Sequence, residues 1–407
     1  MSPCEVTWAC RRDDAPEAPR LLAQVRGLVA PWRKCDGRLV AAFRGMDAAR
    51  SGLTAETLRI LTHMQAHIVP RFHLGRFATP PGRNGFIYAI NKRTGRPERV
   101  PVKDTCTSED FYVIEDGAGN EDAILEDMLQ KLESYSARRI DRLVTNPGVV
   151  PPDDERLTLA LYLALTHMRT PRMREQLRWT HDTATLAHYR STLEADPPWQ
   201  RMRAAVFPEM TDEEAEEFRR KAIADLDSGD MYIEFPARHY VITTFQYVTD
   251  LAYTIVGMSW TVMRAPAGSE YVIGDHAVSM YDPTIGAPGA STGNGFASSP
   301  FAETVLPLDR SVAVKVSIGE EEEWRDLEVS ADDVDEINVR SYAWAENEIY
   351  CSSQALVVAV RECVRDNPTF AAQFEHRAGG LLIENDYPLV GGGHRSDVQV
   401  FTPPTRR

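Results

Sequence analysis

The sequence predicts an α+β fold that is predominantly helical and carries a small antiparallel sheet. Three observations lead to this fold class. Amphipathic helical patterns fill the middle of the chain, between residues 121 and 257. A β-hairpin pattern precedes them at residues 86–102, and alternating strand patterns follow them between residues 259 and 329. Helical patterns return at residues 332–348 and 353–365.

Capping residues and proline breaks set the order of the elements. Two short amphipathic helices are predicted at residues 17–31 and 38–49, and Thr54 caps a third that runs to about Gln65. Thr94-Gly95 turns the hairpin, and a short strand is expected at residues 111–113. Prolines divide the helical region into helices at residues 121–144, 153–170, 172–193, after 196, 211–226 and 237–257. The later strands are predicted at residues 259–264, 271–274, 312–318 and 323–329.

Charge is unevenly distributed along the 407 residues. The chain as a whole has a formal net charge of −15, yet residues 1–105 contain 18 Lys and Arg against 9 Asp and Glu. A basic first quarter on an acidic body can attract a polyanion such as nucleic acid. The structural alternative is that these arginines pair with the acidic remainder. With 43% hydrophobic residues, the chain can build a large core with more than one centre.

Cysteine usage and hydropathy favour a cytoplasmic protein without membrane contact. The six cysteines are widely spaced and include no CxxC pair, so neither a zinc ribbon nor a redox pair is indicated. The N-terminal residues lack the apolar core of a signal peptide. The longest apolar region, residues 240–263, contains Gln246 and Asp250, which a bilayer helix would hold at high cost. The oligomeric state is left open.

The stretch HIVPRFHLGRF, from His67 to Phe77, is the first candidate for chemistry. Its histidine stands at the entrance to a run that is both basic and apolar. Buried imidazole nitrogens are costly when unpaired, so His67 needs a partner. It is predicted to be a metal ligand or a general base, and the alternative is a core histidine bonded to a backbone carbonyl. His63 and His73 are expected to make surface or hairpin contacts.

Glu126 and Glu133 lie seven residues apart on the long predicted helix, so they share one face. Two carboxylates on one stripe, near a histidine and a further carboxylate, can hold a divalent cation such as magnesium or manganese. The alternative is an ordinary solvated helix face, since glutamate is mostly exposed.

Two further residues complete the candidate site. Arg169 is predicted in the last turn of its helix, where it either stabilises the helix end or clamps a carboxylate or phosphate with its guanidinium. Asp275 closes the apolar strand YVIGD, where a carboxylate either points into a site or caps the following turn. Separately, Arg174 and His181 share one helix face at a spacing similar to the arginine–histidine signature of HEPN ribonucleases.

Several short blocks occur in a recognisable order. They are HIVPRFHLGRF, the FIYAINKRTG hairpin, Phe111-Tyr112, LEDMLQKLE, ALTHMRTP and SWTVMRAPAGSEYVIGDHAV. This series resembles the bacterial domain of unknown function family 4238 over roughly residues 63–351. Two blocks depart from the family pattern: Gly274-Asp275-His276-Ala277 replaces serine-aspartate-asparagine-proline, and Thr166 replaces a glutamine.

The resemblance implies a domain plan and a setting. It implies an N-terminal helical extension at residues 1–60, a core α+β domain at 61–351 and a C-terminal extension at 352–407 packed on the core. The family pattern carries glutamates at the places of Glu126 and Glu133. Some members are associated with bacterial defence against phage, which this chain would then share.

The predicted function is that of a metal-dependent nuclease or phosphodiester hydrolase acting in phage defence. His67, Arg169 and Asp275 would be catalytic, and Glu126 and Glu133 would bind the divalent cation. No nucleotide cofactor is expected, because the sequence contains no P-loop and no Rossmann glycine pattern. Two alternatives stay open: a non-catalytic sensor or interaction protein that binds nucleic acid or a phage protein, and a metal-independent HEPN-like ribonuclease.

Overall fold

The computed structural model describes residues 65–109, 124–228, 237–281, 301–318 and 323–366. The helices predicted at residues 17–31 and 38–49, the strand predicted at residues 111–113 and the segment after residue 366 lie outside the described residues. So does the helix predicted from Thr54, except for its last residue, Gln65, which begins a strand instead.

The chain divides into two compact units, and each is described by itself. Unit 1 comprises Met1–Ile68, Thr107–Ile140 and Pro151–Val256. Unit 2 comprises Val69–Cys106, Asp141–Val150 and Gly257–Arg407.

The predicted α+β class is confirmed, with helices predominating. The described strands are β1 (Gln65–His67), β2 (Phe86–Asn91), β3 (Pro97–Pro101), β4 (Thr107–Glu109), β5 (Ser259–Arg264), β6 (Ile273–Gly274), β7 (Ser279–Tyr281), β8 (Glu303–Pro307), β9 (Val312–Ser317), β10 (Trp324–Glu328) and β11 (Glu348–Cys351). The described α-helices are α1 (Arg71–Leu74), α2 (Ile124–Thr145), α3 (Asp153–Met168), α4 (Pro171–Glu194), α5 (Asp196–Val206), α6 (Asp212–Ser228), α7 (Ala237–Val256), α8 (Ala331–Trp344) and α9 (Gln354–Asp366).

Unit 1 is built around α3, which is buried without interruption from Thr158 to Met168. Acidic residues fill its first turn, where carboxylates stabilise the positive end of the helix dipole. Its most extensive packing is against α7, whose buried side chains include Phe245 and Val248. Helices α4 to α6 enclose a separate small core around Trp199. Strand β1 pairs antiparallel with β4, which places His67 opposite Thr107.

Unit 2 contains two sheets. The five-stranded sheet has the order β10-β5-β9-β8-β7, and the four-stranded sheet has the order β3-β2-β11-β6. All neighbours are antiparallel except β10 and β5, a parallel pair that the sequence did not predict. Helix α8 packs on β6 and β7, and α9 packs on β2, β3 and β11. A core cluster that includes Ile90, Val272 and Ile349 fills the four-stranded part of the unit.

The helix predicted at residues 332–348 is shorter than expected. A capping box between Ser330 and Asp333 begins it, as the local sequence favours. It ends at Trp344, and the chain enters β11 at Glu348. At this end, Lys92 Nζ donates to the Ala345 carbonyl at 2.6 Å, so a partner distant in sequence fixes the boundary.

None of the described helices combines the length and the apolar composition that a membrane crossing requires.

Candidate functional site

Arg169 joins three separate segments of unit 1. It follows the last residue of α3, and Thr170 after it caps α4 by accepting from the Met173 amide. The guanidinium is almost fully buried, with 3% of the side chain exposed. Its Nη1 donates to Glu133 Oε1 at 2.8 Å, and its Nη2 donates to the backbone carbonyl of His67. The fold therefore brings β1, α2 and the α3–α4 junction together around one cation.

Glu133 is the more open partner of this ion pair. Its side chain is 26% exposed, and Oε1 accepts from Arg169. No described residue donates a hydrogen bond to Oε2. A carboxylate with one oxygen fixed by a buried guanidinium and the other still able to accept is a suitable ligand for a hard cation.

The two remaining unit 1 candidates contribute less to this geometry. His67 is partly exposed and lies at the end of β1, where its backbone carbonyl accepts from Arg169. Glu126 lies in the first turn of α2, and its side chain is outside the described part of the chain. Among the side chains that are described, no group of three or more His, Cys, Asp or Glu is arranged to hold a metal ion.

Asp275 belongs to unit 2, where backbone amides occupy its carboxylate. Oδ1 accepts from the Glu346 amide at 2.7 Å, and Oδ2 accepts from the amides of Asn347 and Glu348 at 2.8 Å and 3.1 Å. Burial raises the pKa of this carboxyl above its ordinary value, while the three amide donors act in the opposite direction. These contacts fix the turn between α8 and β11, which is distant in sequence and is not the turn directly after Asp275.

The expectation that His73 makes surface or hairpin contacts is wrong. The ring is fully buried, and Nε2 donates to the Pro307 carbonyl across 2.8 Å, since a carbonyl can only accept. Burial lowers the pKa of His73 from 6.5 to about 3, so the imidazole is neutral at physiological pH. The sequence held a signal for this, because Phe72, Leu74 and Phe77 around it are all apolar and all buried.

Arg174 and His181 both lie on α4, and both are partly exposed. Seven residues on a helix are close to two turns, so the pair occupies one face. The HEPN-like interpretation of this pair stays a prediction.

The family model for a protein of unknown function, DUF4238, matches residues 65–355 of the 407-residue chain. The chain belongs to the DUF4238 family. The resemblance drawn from the short sequence blocks is thereby confirmed. Within this DUF4238 chain the matched region begins at β1 and ends at the start of α9, so it contains all five candidate residues. No curated protein and no solved structure matches the chain.

Proposed function

We propose that unit 1 carries a hydrolytic centre for phosphodiester bonds of nucleic acid, formed by His67, Glu126, Glu133 and Arg169. The observation that carries the proposal is the meeting of Glu133, Arg169 and strand β1, which are distant in sequence. Burying the Arg169 guanidinium costs desolvation energy that an ion pair often fails to recover, so the pair is weak evidence of stabilisation and is consistent with a functional role.

Each residue would have a distinct task. Glu133, with Glu126 from the same helix face, would hold magnesium or manganese through carboxylate oxygens. A divalent cation bound there supplies polarisation of a phosphoryl oxygen and acidification of water. His67 would accept the proton of the attacking water, which adds to phosphorus as the alkoxide leaves.

Arg169 is a positioning residue in this proposal. Both terminal nitrogens already donate within the protein, one to Glu133 and one to the His67 carbonyl. The guanidinium therefore fixes the carboxylate and the end of β1. Asp275 is left out of the centre, because its carboxylate accepts three backbone amides in unit 2. The proposed setting is phage defence in the bacterial cytoplasm.

The test is cleavage of labelled RNA, single-stranded DNA and duplex DNA by the purified chain, with magnesium or manganese and with EDTA. Cleavage should require the cation and should be lost in Glu133→Gln, which keeps the shape and an acceptor for Arg169. Glu194→Gln is the matched control, since Glu194 also pairs with an arginine in unit 1 but is exposed on α4. Cleavage by Glu133→Gln at the parent rate, or no cleavage of any substrate with either cation, refutes the hydrolytic centre.

The second candidate function is that of a non-catalytic protein that binds nucleic acid. The observation that favours it is that Arg169 and Glu133 already form a paired, hydrogen-bonded unit, which needs no ligand to be stable. Binding that survives EDTA without any cleavage would support this function. Cleavage that survives EDTA but is lost in His181→Ala would instead point to the Arg174–His181 pair on α4.

A further inference from the structure

The β2–β3 hairpin of unit 2 concentrates positive charge on an acidic chain. Residues 69–106 contain eight Lys and Arg against two Asp and Glu, although the whole chain has a formal charge of −15. Four of these cations are exposed arginines that belong to the hairpin or directly precede it. We call this set the cationic hairpin; it consists of Arg83, Arg93, Arg96 and Arg99.

Among the described residues, no carboxylate pairs with the arginines of the cationic hairpin. Elsewhere in the chain, exposed or half-buried arginines such as Arg190, Arg264 and Arg325 each pair with a carboxylate. The sequence left open that basic residues pair with the acidic remainder; at these four positions the described part of that remainder supplies no such pair.

The hairpin tip is held rigidly. Asn91 Oδ1 accepts from the amides of Arg93 and Thr94, both at 3.1 Å. Gly95 closes the turn with a φ of 66°, and Arg361 from α9 donates to its carbonyl at 2.8 Å. Because the backbone of the tip is preformed, binding would order only the arginine side chains and not the turn itself, which favours affinity.

A stacked pair lies on the strands behind the tip. The Arg99 guanidinium lies 3.9 Å from the centre of the Phe86 ring, and the ring itself is 36% exposed. Arg99 is opposite Tyr88 in the β2–β3 register, so it shares a sheet face with Phe86 two residues away. Guanidinium planes and aromatic rings are the surfaces on which unpaired bases stack.

We propose that the cationic hairpin binds single-stranded nucleic acid. Arg83, Arg93 and Arg96 would contact backbone phosphates, and a base would stack on the Arg99–Phe86 pair. Single strands fit better than duplex, because the bases of a duplex are already stacked on their neighbours. The inference rests on the proposed function only for the class of partner, and it does not require cleavage.

Binding is measured with the full chain in EDTA, by fluorescence anisotropy of a labelled single-stranded oligonucleotide and of the same sequence as a duplex. The parent should prefer the single strand. Arg93→Ala with Arg96→Ala should weaken binding about tenfold or more, and should reduce the slope of log affinity against log salt by about 1.4, since two phosphate contacts are lost. Arg99→Lys keeps the charge but removes the planar surface, so it should weaken single-strand binding about tenfold with little change in the salt slope.

The matched control is Arg264→Ala with Arg325→Ala, which removes two ion-paired surface arginines of the same unit. It should bind as the parent does. Parent-like binding by the Arg93/Arg96 variant, a preference for duplex, or an unchanged affinity of Arg99→Lys would each overturn the inference. Loss of cleavage in Glu133→Gln together with parent-like binding by the hairpin variants would sink this inference and leave the hydrolytic centre standing.

Discussion

Replacement of Asp275 separates a structural role from a catalytic one. The carboxylate is 8% exposed and accepts three backbone amides, from Glu346, Asn347 and Glu348. Each buried donor left without an acceptor costs about 1–3 kcal/mol. Since water can enter the space left by truncation and satisfy some of these amides, we expect Asp275→Ala to lower the free energy of unfolding of unit 2 by about 3–5 kcal/mol. A domain is commonly stable by only about 5–15 kcal/mol, so this loss is large.

Asp275→Asn sharpens the test. The amide nitrogen of asparagine would face one or two of the same backbone donors, so we expect a loss of about 2–4 kcal/mol. Asp309→Ala is the matched control, because Asp309 also accepts backbone amides, from Ser311 at 2.7 Å and Val312 at 2.8 Å, but is partly exposed. Water can replace its carboxylate, and the expected loss is about 0.5–1.5 kcal/mol.

The assay is urea unfolding followed by tryptophan fluorescence, since unit 2 contains Trp260, Trp324 and Trp344. The transition is compared between variants at equal protein concentration, alongside the cleavage assay. If Asp275→Asn unfolds at the parent urea concentration and yet loses cation-dependent cleavage, the structural account of Asp275 is refuted and the residue is catalytic.

Three further outcomes are expected. Arg169→Met should destabilise unit 1 by about 3–5 kcal/mol, since it leaves Glu133 beside a buried surface without its cation. A double-mutant cycle with Glu133→Gln measures the coupling energy of the pair, and a value near zero would contradict the 2.8 Å ion pair. Because burial lowers the pKa of His73 to about 3, the unfolded chain binds more protons than the folded chain between pH 6.5 and 3, so the free energy of unfolding should decrease by up to about 1.4 kcal/mol for each unit that the pH is lowered. Urea midpoints measured across this range should decrease less steeply in His73→Gln than in the parent. Equal slopes would show that the ring is not buried in its neutral form. Gly95→Ala should lower the free energy of unfolding by about 1–2 kcal/mol, because φ is 66° and the new Cβ would lie 2.5 Å from the Arg361 guanidinium carbon. A thermal melting temperature equal to that of the parent would show that the turn is not held as described.

Local sequence signals located the long elements well. The helix predicted at residues 121–144 is α2 (Ile124–Thr145), and the helix predicted at residues 237–257 is α7 (Ala237–Val256). The strand predicted at residues 259–264 is β5 with the same bounds. In these segments periodicity, caps and proline breaks all favour the same structure, so local preference and tertiary packing agree.

The short strands were missed because their pairing partners are distant. Strands β1 and β4 pair three residues each across forty positions of sequence, and neither has an alternating pattern long enough to identify. Strand β11 falls at the end of a segment predicted as helix, and its start is set by Asp275 and Lys92, far upstream. No local pattern carries that information.

The candidate site was predictable in part. Residue type and the family pattern single out Arg169, Glu133 and His67 in separate segments, and the fold brings Arg169 into contact with the other two. Two features could not be read from local sequence: the contact with His67 is made through its carbonyl, and the ring of His73 is fully buried. Both depend on packing between segments that are distant in sequence.

Helix α9 belongs to the core of unit 2 although most of it lies beyond the family match. The family match ends at residue 355, yet Val357 and Val360 beyond it are buried in the core cluster beside the four-stranded sheet. Arg361, also beyond the match, donates a hydrogen bond to the carbonyl of Gly95. A fragment trimmed to the family boundary would expose apolar surface on β2 and release the neighbouring turn. Truncation for crystallisation or expression should therefore keep the chain at least through Asp366.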